Sequence, residues 1–80
     1  MPTTQRPPRH AFRVLTRTRG RYDGEMYDVQ LQVNDTGALV WAQTFTDPEE
    51  ADRYREEVEA DLDSLDEKAF RRKWSVPSSA

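Results

Sequence analysis

The sequence predicts an α+β fold: a three-stranded antiparallel sheet packed against one C-terminal amphipathic helix (β-β-β-α), with a short extra helical segment after it. Three observations predict it. Apolar and polar residues alternate along 12–18 and 26–33, the period of a strand with one wet face. Turn-forming residues gather at 20–25 and 34–37, between the apolar stretches, as hairpins require. From Asp47 onward the apolar period lengthens to three and four, which is that of a helix.

The first strand is read over 12–18, with Phe12, Val14 and Thr16 on one side and Arg13, Leu15 and Arg17 on the other. Gly20 and the stretch Tyr22, Asp23, Gly24, Glu25 are turn chemistry, and Asp-Gly is a favoured hairpin pair. The second strand, 26–33, sets Tyr27, Val29, Leu31 and Val33 against Asp28, Gln30 and Gln32. Asn34, Asp35, Thr36 and Gly37 form a second tight turn. The third strand, 38–45, has an ambiguous alternation: Leu39, Trp41 and Phe45 share one parity, Val40 and Ala42 the other.

The helix begins at a recognisable cap. Asp47 is the N-cap, Pro48 suits the first helical position, and Glu50 follows Asp47 by three, as in a capping box. Ala51, Tyr54, Val58, Leu62 and Leu65 form one apolar stripe, while Asp52, Glu56, Glu59 and Asp63 line the opposite face. Residues 66–74 continue as a second helical piece carrying Ala69, Phe70 and Trp74. The helix stripe has one place to go, the apolar face of the sheet, which leaves the other sheet face open.

Eighty residues make one domain with a thin core. The expected organisation is a disordered basic tail at 1–10, the domain at 11–74, and a disordered tail at 75–80. There is no cysteine, which excludes disulfides and thiolate metal sites and fits a reducing, cytoplasmic compartment. No apolar run approaches the roughly 18 residues that span a bilayer, and the basic N-terminus lacks the apolar stretch of a secretory signal. The net charge of −3 is unevenly spread. Residues 1–22 carry six arginines and no acid; residues 47–67 carry eleven acids and two bases.

Catalytic chemistry is not expected. The one histidine, His10, lies in the Pro/Arg-rich N-terminal stretch, whereas a general base must be held within hydrogen-bond reach of its target. No glycine-rich loop precedes a helix, and the helix carboxylates read as a solvated face. No cofactor, metal or small-molecule substrate is expected.

The run VWAQTFTDPEEADRY at 40–54 resembles the end of the plant ethylene-response-factor (APETALA-type) DNA-binding domain. There the third strand reads Trp-Leu-Gly-Thr-Phe and a Glu-Glu-Ala helix start follows after three residues. Trp41, Thr44 and Phe45 keep that spacing, and Glu49, Glu50 and Ala51 follow in register. The same region is similar to the arm-type DNA-binding domain of phage tyrosine integrases, through Phe45, Ala51 and Tyr54. Tyr54 follows Ala51 by three, as in the integrases and not by four as in the plant domain. The resemblance covers about residues 13–62 and implies the same β-β-β-α order, a DNA partner, and a setting in a phage or mobile element.

In the plant family, arginines of the first two strands and the strand-three tryptophan enter the major groove from the open sheet face. Arg13 and Arg17 match the first strand and Trp41 the third, whereas the second strand offers Gln30 and Gln32 where an arginine is expected. The DNA reading therefore names Arg13, Arg17 and Arg19 for phosphates or guanine, Gln30 and Gln32 for adenine, and Trp41 for stacking. A plainer reading stands beside it: the arginines solubilise the wet face, and Trp41 is core if its register turns it inward. The competing class is a protein-interaction module, or a nucleic-acid mimic, using the acidic helix or an edge strand.

Overall fold

A computed structural model describes residues 7–21 and 24–77. A 3-10 turn, Pro8–His10, leads into three strands, β1 (Phe12–Arg21), β2 (Gly24–Val33) and β3 (Leu39–Phe45), followed by helices α1 (Pro48–Ser64) and α2 (Glu67–Lys73). The strands form one sheet in the order β1-β2-β3, and both pairs are antiparallel. The predicted α+β architecture and the short second helix are both present.

The β1/β2 register sets Phe12 opposite Val33, Val14 opposite Leu31 and Thr16 opposite Val29. Paired residues share a face, so the apolar sets of both strands meet on one side. Both strands run further than their alternation indicated: Gly20 lies inside β1, opposite Glu25, and Gly24 (φ +126°) opens β2. The connecting residues 22–23 lie outside the described residues, and with them half of the expected Asp-Gly pair. The β2/β3 turn closes as expected: Gly37 takes φ +73° and its N–H donates to the Val33 carbonyl at 2.8 Å. That left-handed conformation favours glycine.

The ambiguous parity of β3 has a physical cause. Trp41 opposes Leu31 and Leu39 opposes Gln32, so Val40 is the extra residue of a β-bulge. A bulge changes which parity faces inward. Trp41 and Phe45 therefore lie on the helix side with Leu31 and Tyr27, while Leu39 shares the open side with Gln32.

The core lies between the sheet and the helices. Phe12, Leu31, Val58, Leu62, Phe70 and Val76 form one buried cluster, with Trp41, Tyr54, Leu65 and Trp74 packed around it. At roughly 1.5–3 kcal/mol per large apolar side chain removed from water, these few residues are the main source of stability. In α1 the Asp47 carboxylate accepts from the Glu49 N–H at 3.0 Å. A break at Leu65 and Asp66 turns the chain, and the Asp66 carboxylate recaps α2 by accepting from the Ala69 N–H at 2.7 Å. Phe70 then stacks on Phe12, centroids 5.9 Å apart. Lys73 Nζ reaches Asp61 at 2.7 Å and Glu57 at 3.3 Å, tying α2 to α1.

The folded unit is longer than 11–74 at both ends. Pro8 is buried, and the Asn34 amide donates to the carbonyls of Arg9 (2.8 Å) and His10 (3.1 Å). Arg9 reaches back to α1, donating to Asp63 Oδ1 at 2.6 Å and pairing with Glu59 at 3.2 Å. The stretch expected to be a basic tail is thus drawn in where its arginine meets the acidic helix face. At the other end Val76 joins the core, and its N–H donates to the Arg71 carbonyl at 2.9 Å. Residues 1–6 and 78–80 of the two expected tails lie outside the described residues.

Candidate nucleic-acid interface

The register places the outward residues of the three strands in rows. Arg13, Gln32 and Leu39 form one; Leu15, Gln30 and Ala42 the next; Arg17, Asp28 and Thr44 the third; Arg19 and Met26 extend it along the hairpin. Rows on one face are about 6.8 Å apart and neighbouring strands about 4.8 Å. Arg13 and Arg17 thus stand about 13 Å apart along β1.

Five of the six residues singled out in the sequence lie on this face: Arg13, Arg17, Arg19, Gln30 and Gln32. Trp41 does not. The bulge turns it to the helix side, where its ring packs against Tyr54 (5.8 Å) and Trp74 (6.1 Å). Stacking on a base from the open face is therefore not available to it; it is part of the aromatic wall under α1 and α2.

The side chains of the open face are ordered by contacts among themselves. Arg13 Nε and Nη2 both donate to Gln32 Oε1, at 3.3 and 3.1 Å, and Gln32 Nε2 donates to Gln30 Oε1 at 3.4 Å. This chain leaves both amide hydrogens of Gln30 without an acceptor among the described residues. Arg19 is engaged differently: its Nε lies 2.9 Å from Asp28 Oδ2, and its Nη2 donates to Asp28 Oδ1 at 3.1 Å. The Thr44 hydroxyl also donates to Asp28 Oδ1, at 2.8 Å. Asp28 is only 7% exposed although it stands on the open face. The Thr44 hydroxyl and the Arg19 guanidinium hold its carboxyl below the usual carboxylate range, against the smaller opposing effect of burial. Arg17, across from Asp28, makes no hydrogen bond or ion pair with a described residue.

Two features of the face take their meaning only in space. Asp28 reads as one more polar residue of an alternating strand, yet in space it neutralises Arg19. Leu15 and Leu39, 40% and 56% exposed, are the large apolar side chains left in water among the described residues. Leu15 was legible as outward from its parity with Arg13; Leu39 was not, because the bulge hid its facing.

Charge is largely segregated in space as well as in sequence. Glu56 and Asp63 are exposed on α1, the helix that packs on the other side of the sheet from the arginine row, whereas Asp52, at the start of α1, borders a cleft with Arg17 and Asp28. Arg9 neutralises part of that acidic surface, and the pairing lowers the Asp63 carboxyl's pKa, chiefly through the hydrogen bond from Arg9. Among the described residues no three His, Asp or Glu side chains are gathered as a metal site, and no helix is long and apolar enough to cross a membrane. A groove of about 310 Å³ lies beside β3, lined by Trp41, Gln43, Tyr54, Lys73, Trp74 and Ser75. No protein-family model matches the chain, and neither a curated protein nor a solved structure does.

Proposed function

We propose that the chain is a non-catalytic module that binds duplex DNA through the open face of its sheet. The observation that carries this reading is the convergence of Arg13, Arg17, Arg19, Gln30 and Gln32 on one face that no other described element covers. Three strands span about 10 Å, which suits a major groove about 12 Å wide. Arg17 is the side chain best placed for a phosphate or a guanine edge, and Gln30 offers its amide hydrogens to a base. Leu15 and Leu39 supply apolar contact of the kind thymine methyls accept. With the acidic helix turned away, the net charge of −3 does not oppose the approach. A cysteine-free chain suits a cytoplasmic setting.

The test is fluorescence anisotropy with a mixed-sequence duplex across a salt series. Binding is expected to weaken with salt, and the double variant Arg13→Ala plus Arg17→Ala to reduce the log–log slope by about 1.8, at about 0.9 per lost phosphate contact. If the wild-type protein gives no salt-dependent signal at low salt, the DNA reading falls. The same two exposed leucines favour a second reading, a protein partner docked on this face. Under that reading Leu15→Asp plus Leu39→Asp abolishes binding, while the arginine pair has little effect.

A further inference from the structure

Among the described residues no strand pairs with the outer edge of β1 or of β3, and the two edges are armed very differently. β1 carries Arg13, Arg17 and Arg19 along its outward side, and the Pro8–His10 turn adjoins its start. β3, from Leu39 to Phe45, holds no charged residue and no proline. Its backbone groups on the side away from β2 have no backbone partner among the described residues. Natural sheets discourage edge pairing with charge, proline or bulges. β3 has only the bulge, and it sits near one end, leaving 41–45 regular.

A second irregularity lies on the same edge. The Trp41 indole N–H is shielded from solvent and has no acceptor among the described residues, a state that costs free energy in a folded protein. Trp41 and Gln43 both line the groove beside β3.

We propose that β3 is a self-pairing edge: two copies of the chain join antiparallel through β3, about a twofold axis at Ala42. A twofold axis perpendicular to the sheet keeps both helix layers on one side and makes the contact isologous. Ala42 then opposes Ala42 of the second copy, and Trp41 opposes Gln43 of the second copy. Paired residues share a face, so Trp41 of one copy and Gln43 of the other meet on the helix side of the joined sheet. The occupant is a second copy and not a charged strand because β3 is neutral along its whole length. Pairing through β1 would instead bring arginines opposite arginines, which is unfavourable. The strand contact is short, well below the roughly 1,200 Å² of a stable interface, so the dimer is weak and concentration-dependent. The pairing joins two open faces into one six-stranded surface with twice the arginines; that consequence rests on the DNA reading, whereas the pairing itself does not.

The experiment needs no DNA. Sedimentation velocity on the full chain at up to ~1 mM, a concentration that populates even weak complexes, is expected to show a doubling of mass. Ala42→Lys, at an exposed position on the open face, sets two like charges on the axis and is expected to return the protein to monomer with unchanged circular dichroism. Directly opposed strand residues have Cα atoms about 4.5–5.5 Å apart, inside the span a disulfide accepts. The chain has no cysteine of its own, so Ala42→Cys is expected to cross-link under mild oxidant and Leu15→Cys, on the β1 edge, is not. Two results overturn the proposal: a wild-type protein monomeric at ~1 mM whose Ala42→Cys variant cross-links no better than Leu15→Cys, or cross-linking faster through position 15.

Discussion

Replacing Asp28 by Asn separates what this side chain does for stability from what it does for binding. The carboxylate accepts from Thr44 Oγ1 at 2.8 Å and from Arg19 Nη2 at 3.1 Å, with Arg19 Nε at 2.9 Å from its second oxygen. Asparagine keeps one acceptor oxygen but loses the charge, so the cost is a charge-assisted contact, about 1 kcal/mol because the Arg19 partner is half exposed and screened by solvent. The pH dependence has a definite sign. The folded pKa is lowered, so the Asp28 contribution is complete above the unfolded carboxyl value of about 3.9 and is lost as pH falls through it toward the folded value. In Asp28→Asn that part of the acid limb disappears.

Binding should move the other way. The substitution removes the one acid of the open face among the described residues and releases Arg19 to a phosphate. One further phosphate contact steepens the log–log salt slope by about 0.9, which is about eightfold tighter binding at ~0.1 M salt. Urea denaturation read by circular dichroism gives the stability arm, and anisotropy with a duplex gives the binding arm. Thr44→Val is the control, since it removes the hydroxyl hydrogen bond without changing charge; it should lower stability and leave the slope unaltered. A variant Asp28→Asn that binds DNA no tighter than wild type, with the same slope, would refute the assignment of Asp28 as the neutraliser of Arg19.

Phe70 is fully buried and stacked on Phe12, so Phe70→Ala should cost about 3–5 kcal/mol and shift the urea midpoint steeply downward; a shift below ~1 kcal/mol would show that α2 is peripheral to the core. Asp47→Ala removes the N-cap acceptor of the Glu49 N–H and should destabilise by about 1 kcal/mol in the same assay, with Asp47→Asn restoring most of it. Trp41→Phe should lower stability through lost packing on Tyr54 and Trp74 while leaving the DNA salt slope unchanged, and a flattened slope would put Trp41 back at the interface.

Much of the fold is legible along the chain because the signals that write it are local. The alternation at 26–33 assigns faces to β2, since a strand repeats every two residues whatever it packs against. The Asp47–Pro48 start and the stripe from Ala51 to Leu65 announce α1 in the same way, because capping and amphipathic period are set within a few turns. Phe70 and Trp74 already mark residues 66–74 as a helix with an apolar side. The open face and its arginines follow from these, once one helix covers one side of the sheet.

Four features were decided only in three dimensions. The Val40 bulge, a property of strand pairing and not of composition, turned Trp41 inward and Leu39 outward. Arg9 belongs to the domain because α1 presents Asp63 and Glu59 to it across fifty residues of chain or more, and Pro8 is buried beside it. Val76 belongs to it because the turn after α2 returns the chain to the core. Asp28 and Arg19 neutralise one another across a register that the separate strands do not state. The sequence by itself determined the elements, the covered and open faces, and the polarity of charge. The tertiary structure decided which side chains on those faces remain available, because availability depends on neighbours distant in the chain.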